Sequence, residues 1–159
     1  MSKSRGPNFQ LDEDKALCQA WLNTSGDGGT GTNQTGDDFY KRVKATFDEE
    51  LRENDKWVAE RNYRPLSNRL STISHDVSKF VACHAKVSAL EPSGCTQTDI
   101  EHQAIELYES VKKNGNFRFL QCWYILKDAP KWGAWHARKE AKQTQKTKTS
   151  RKNIFSTTR

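Results

Sequence analysis

Two neighbouring pairs, His75–Asp76 and Cys83–His84, hold the residue types that could carry acid–base or nucleophilic chemistry. A hydrolytic site needs a nucleophile beside a base, or carboxylates poised together. Adjacent residues on a helix point in different directions, so neither pair forms such a unit. His84 also falls on an apolar helical stripe, where a histidine reads as a core residue. The four cysteines (18, 83, 95, 122) and four histidines (75, 84, 102, 136) include no C-x-x-C or H-x-x-x-H spacing. No metal site is therefore expected. Cys18 and Cys122 lie inside apolar patterns and read as small core residues. The glycine-rich GDGGTG (26–31) has neither a preceding strand nor the Gly-Lys-Ser/Thr end of a phosphate loop, and reads as a connector. The expectation from these residues is a protein that is not an enzyme, with no cofactor and no small-molecule substrate.

Recognition of DNA is the stronger reading. A helix entered at Pro65 would present Ser67, Asn68, Arg69 and Ser71, with Ser74 and His75 a turn later, on the face opposite its apolar stripe. Asparagine pairs bidentately with adenine and arginine with guanine. Arg61, Arg64 and Lys79 would then meet phosphates, as flanking basic groups do in three-helix readers. The bland reading stays open beside it, because a helix exterior is polar in any case.

Those residues need helices to hold them. Phe9–Trp21 (FQLDEDKALCQAW) opens with Asp12, Glu13 and Asp14, acids that complement a helix N-terminus, before apolar Leu17, Ala20 and Trp21. Phe9 is placed to fold back as a hydrophobic staple. Residues 23–38 are rich in Gly, Thr, Asn and Asp and read as a loop. A second helix from about Asp37 to Glu53 carries Phe39, Val43, Phe47 and Leu51 on one stripe, and Trp57 and Val58 extend it or start a turn. The third, from Pro65, carries Leu66, Leu70, Ile73, Val77, Phe80, His84 and Val87 in heptad-like alternation until EPSG (91–94) stops it. Thr98 and Glu101 form a capping box for a fourth helix bearing Ile100, Ala104, Leu107, Tyr108 and Val111. FRFLQCWYILKDAPKW (117–132) is apolar and aromatic until Pro130 breaks it, and beyond Trp135 no periodicity remains.

The 159 residues suffice for one domain, or two very small ones, with five Trp, seven Phe and four Tyr to fill a core despite a mean hydropathy of −0.94. The net charge of +6 is unevenly spread. Residues 138–159 carry eight Lys or Arg against one acid, while residues 9–60 carry six against twelve. The basic blocks are the footprint of polyanion binding. The acidic block opposes it, because counterion release dominates affinity for DNA. Either those acids face away from the duplex, or the bundle grips a basic protein partner such as a histone tail. No apolar stretch approaches the roughly 20 residues that span a bilayer, and MSKSRGPN offers no secretory signal. No membrane role is expected, and the cysteines suit a reducing compartment.

Several of these strings resemble one family. Phe9–Trp21 is similar to the W-T-x-x-E-D-x-x-L-x-x-A-W opening of Myb/SANT-like trihelix domains. Phe39-Tyr40 with Arg42-Val43 resembles their F-W-x-R-V, and Arg69-Leu70, Ile73 and Lys79-Phe80 resemble R-W-x-x-I…K-F. The 117–132 block resembles F-x-F-x-H-C-W-x-x-L-K-D-x-P-K-W of the no-apical-meristem-associated C-terminal domain group, related to Myb-like helpers of Harbinger-type transposons. Phe9, Tyr40 and Leu70 replace characteristic tryptophans.

The resemblance implies an all-α fold: a three-helix Myb/SANT-like bundle with a long third helix, one or two further helices, and a disordered basic tail. The expected divisions are a flexible N-terminus (1–8), the Myb/SANT-like domain (9–90), a helical extension packed on it (91–135) and the tail (136–159). Phe9, Trp21, Phe39, Tyr40 and Trp123 would be core aromatics. Arg61, Arg64, Ser67, Asn68, Arg69, Ser71 and Lys79 would bind double-stranded DNA. Arg138, Lys139, Lys146, Lys148, Arg151 and Lys152 would form a nuclear-import tail. The implied function is a nuclear, transposon-derived DNA-binding regulator without catalysis. The alternative is an interaction module, with a transposase or chromatin partner, that has lost specific DNA binding.

Overall fold

The computed structural model describes residues 6–26, 35–56, 60–90 and 93–155. Among them the fold is all-α: α1 (Leu11–Gly26), α2 (Gly36–Glu53), α3 (Tyr63–Ala89), α4 (Gln97–Ser110), α5 (Leu120–Leu126) and α6 (Pro130–Phe155). Most of GDGGTG, Trp57, Val58, Glu91 and Pro92 lie outside the described residues.

The second and third helices follow from their stripes. Val43, Phe47 and Leu51 of α2 are buried, and Phe39 packs half-buried at the edge of the same core. On α3, Leu66, Leu70, Ile73, Val77 and Phe80 have no more than traces of exposed surface. Asn62 caps α3 with its side-chain oxygen on the Tyr63 N–H, which puts Pro65 in the first turn, where a missing N–H costs no helical bond. His84 ends half-buried, between Phe80 (6.0 Å) and Trp123 (5.2 Å).

α1 continues to Gly26, beyond the expected loop boundary. The added turn is tied to α2 by a Thr24–Thr46 hydroxyl contact of 3.4 Å and by Asn23 donating to Glu50 at 3.1 Å. The capping box of α4 sits two residues earlier than expected. Thr96 accepts from the Asp99 N–H while the Asp99 carboxylate accepts from the Thr96 N–H. Glu101, the expected partner of Thr98, is instead buried and accepts the Tyr124 hydroxyl. Leu107 and Val111, placed on the apolar face by their spacing, are exposed.

The aromatic block closes the core. Phe117 stacks on Phe80 at 4.4 Å, Trp123 meets Phe80 edge-on at 5.1 Å, and Tyr108 of α4 lies 5.0 Å from Phe117. The left-handed backbone at Gly115 (φ 65°), which glycine adopts without strain, turns the chain from α4 toward this block.

The expected disordered tail is a helix as far as Phe155. Pro130 ends one helical segment and starts the next, and the Ala, Lys, Gln, Glu and Arg that follow are strong helix formers. A missing apolar stripe therefore removed the packing signal without removing the helix. Trp132, 5% exposed, docks the start of α6 against Trp21 at 5.9 Å, and Trp135 lies 5.5 Å from Trp21.

Candidate functional site

The residues picked out for DNA contact are largely occupied inside the protein. Arg61 is buried and donates through Nε to Glu13, through Nη2 to Glu13 (3.1 Å) and the Asn8 carbonyl (3.1 Å), and through Nη1 to the Pro7 carbonyl (3.0 Å). Arg69 holds Asp14 with two parallel bonds, Nε to Oδ1 at 2.7 Å and Nη2 to Oδ2 at 2.8 Å. That pairing is the first cause of its guanidinium being held even more firmly protonated than usual. Both guanidiniums cover the Phe9 ring, at 3.8 and 5.1 Å. Phe9 thus packs under cations where a staple would place an apolar partner.

Lys79 donates to Asn114 at 3.0 Å, and Ser67 shares a hydrogen bond with the Tyr40 hydroxyl. Arg64 is exposed and bonded to Tyr63. Asn68 and Ser71 are exposed on α3. In the basic segment, Arg138 and Lys139 extend along exposed α6, with the Lys139 Nζ 3.9 Å over the Trp135 ring and its pKa lowered by burial. Lys146 and Lys148 are exposed, and nothing is described of the Arg151 and Lys152 side chains.

The acids expected on an outward face divide by direction. Glu13 and Asp14 are buried against the two arginines, and only Asp12 stays outside, 3.2 Å from Lys56. Glu13 also accepts the Gln10 N–H at 2.8 Å, closing the first turn of α1.

A pocket of about 460 Å³ opens where α1, α2 and the start of α6 meet. Trp21, Phe39, Tyr40 and Trp135 give it aromatic walls, and Lys131 and Arg138 give it two cations. Its size falls within the range of small-molecule sites, and an apolar lining with a few polar groups is their usual composition. Burial raises the Tyr40 pKa, against a smaller lowering from the Ser67 hydrogen bond, so its phenol stays protonated at neutral pH. Lys131 donates to the Ser25 carbonyl, while the buried Ser25 hydroxyl has no hydrogen-bond partner among the described residues. A buried hydroxyl left in that state is costly unless an incoming group satisfies it. Sequence reasoning missed this pocket because its walls come from three helices far apart in the chain, and because Arg138 falls in the segment expected to be disordered.

Its described lining holds no cysteine. Cys18 and Cys122 are fully buried, and the Cys18 thiol is pushed well above the ordinary thiol range, first by its hydrogen bond to Cys122 and then by burial. No group of three or more His, Cys, Asp or Glu able to hold a metal occurs among the described residues. Nor is any described helix long and apolar enough to cross a membrane.

The chain is 31% identical over 123 residues to glutathione S-transferase T3 of Arabidopsis thaliana, covering 76% of this chain and 20% of that protein. It is 25% identical over 159 residues to glutathione S-transferase T2 of the same plant, covering 97% of this chain and 26% of that protein. The chain therefore spans about a fifth to a quarter of the length of these curated relatives. No family model matches it, and no solved structure matches it.

These relatives correct the resemblance drawn from the motifs. They are named as glutathione S-transferases, not as Myb/SANT-like, transposon-derived or no-apical-meristem-associated proteins. Their names denote enzymes with a small-molecule substrate. The expected nuclear DNA-binding role, its interaction-module alternative, the partners assigned with them and the exclusion of enzymatic activity and small-molecule substrates are corrected on that finding. The short aromatic strings that suggested otherwise are also what a small helical core requires of its packing residues.

Proposed function

We propose that this chain is a helical substrate-binding part of a glutathione S-transferase type of enzyme. In this reading the pocket between Trp21, Tyr40 and Trp135 takes the apolar co-substrate, or the thioether formed from it. The observation that carries the reading is the pairing of aromatic walls with two cations, Lys131 and Arg138, at one pocket. A glutathione thioether has matching parts: an apolar substituent on sulfur and a peptide bearing carboxylates. Aromatic rings would hold the substituent, and the cations would attract the carboxylates with charge-assisted hydrogen bonds. The reacting thiol would come from glutathione, so the buried cysteines take no part.

The test combines binding with turnover. Tryptophan emission is followed while an S-aryl glutathione thioether is added, and glutathione conjugation to an aryl halide is measured in parallel. Saturable quenching that weakens about tenfold in Trp135→Ala, together with conjugation above the uncatalysed rate, is expected. Absence of both quenching and conjugation would overturn the reading.

A further inference from the structure

A second cleft, sharing no residue with the aromatic pocket, lies between the N-terminal segment Gly6–Phe9 and α3. Its volume is about 900 Å³, and its lining includes Arg61, Arg69 and Arg118 but, among the described residues, no carboxylate side chain. The three arginines differ in what they have left to give. Arg61 spends four of its five N–H donors on Glu13 and two backbone carbonyls. Arg69 spends Nε and Nη2 on Asp14, and its Nη1 bonds to no described residue. Arg118 is exposed, lies near enough to Tyr108 to act on it electrostatically, and among the described residues has no hydrogen bond and no carboxylate partner.

Charge follows the same division. Glu13 and Asp14 neutralise Arg61 and Arg69, which leaves Arg118, among the described lining residues, as the cation without a paired carboxylate. Asn68 adds an exposed side-chain amide, and the Thr72 hydroxyl, which donates to the Asn68 carbonyl at 3.2 Å, keeps its capacity to accept. Phe9 and Phe119 lie about the Arg69 guanidinium, at 5.1 and 5.0 Å. With its Nε edge already on Asp14, Nη1 is the part of Arg69 that remains for a ligand. Planar guanidinium donors of this kind suit carboxylate and phosphate oxygens, with which they form short, charge-assisted bonds.

We propose that this cleft is an oxyanion site, in which Arg69 Nη1, Arg118 and Asn68 bind the carboxylate or phosphate group of a small molecule. The Arg69–Asp14 pair fixes the orientation of the first donor, and Arg118 supplies the net charge.

The full chain, labelled with nitrogen-15, is titrated separately with inorganic phosphate, acetate and chloride at constant ionic strength. Saturable shifts of the Asn68 side-chain amide and the Arg118 Nε–H with phosphate or acetate are expected, and the anion that saturates identifies the group. Because Arg118 is exposed, Arg118→Gln should keep the same melting temperature while weakening that binding about tenfold. Shifts that chloride reproduces, that never saturate, that stay unchanged in Arg118→Gln, or that centre on the α6 lysines would each overturn the assignment.

Discussion

Arg61 and Glu13, forty-eight residues apart, meet as a buried ion pair in which the carboxylate also closes the first turn of α1. The pair ties the segment before α3 to the start of the chain's first helix, and the Phe9 ring lies beneath the cation. Taking two charges from water is costly, so the pair is worth less than its contacts suggest; breaking it strands one charge inside.

Glu13→Ala and Arg61→Ala should each destabilise the fold by about 3–5 kcal/mol in urea titrations, the usual range for orphaning a buried charge. The double replacement Glu13→Leu with Arg61→Met should recover most of that loss. Equal instability of the double and single variants would contradict this account.

Trp132 anchors α6. Trp132→Ala should cost about 3–5 kcal/mol, as large-to-small core changes at aromatic positions do. Hydrogen exchange should rise first in the amides of residues 131–138, which depend on that ring for docking, while α3 stays protected. Uniform loss of protection across all helices would show that α6 is not a separable layer.

Asp99 gives a pH dependence. The Thr96 backbone N–H and then the Thr96 hydroxyl hold its carboxyl below the usual carboxylate range. The folded chain therefore takes up this proton less readily than the unfolded chain. The cap contributes fully above the unfolded value and is lost as pH falls through the lowered folded value. Amide exchange at the start of α4 should accelerate over that acidic window, and Asp99→Asn should remove the dependence.

Thiol reactivity should sort by burial. The thiolate is the reacting form, and Cys18 is held protonated by Cys122 and by its surroundings. Iodoacetamide should modify half-buried Cys83 and Cys95 first, with Cys18 and Cys122 labelled only as the chain unfolds. Mass spectrometry of partial digests would read the order, and early labelling of Cys18 would refute it.

The helices were legible where an apolar stripe and a capping residue coincide. α2 and α3 each bury one face against many partners, so their periodicity is strong. The direction of the acids at the start of α1 was not legible. Consecutive residues on a helix diverge by about 100°, which turns Glu13 and Asp14 inward and leaves Asp12 outside. Their partners lie 48 and 55 residues away, and no local pattern announces such a pairing. The aromatic pocket was hidden for a related reason: Trp21, Tyr40 and Trp135 come from three separate helices, and the segment beyond Trp135, which supplies Arg138, shows no periodicity in the sequence. Two arginines chosen as DNA ligands, Arg61 and Arg69, pair with Glu13 and Asp14 inside the protein, because the side chains that suit phosphates also suit interior carboxylates.

The contact of Trp21 with Trp132 and Trp135 also has an optical consequence. Indoles at 5.9, 5.5 and 5.1 Å are close enough for their excited states to mix, so the α1–α6 joint carries its own chromophore. Near-ultraviolet circular dichroism should therefore follow the seating of α6 directly, with no added label. Trp123, set against Phe80 and His84, gives a separate signal for the centre of the bundle.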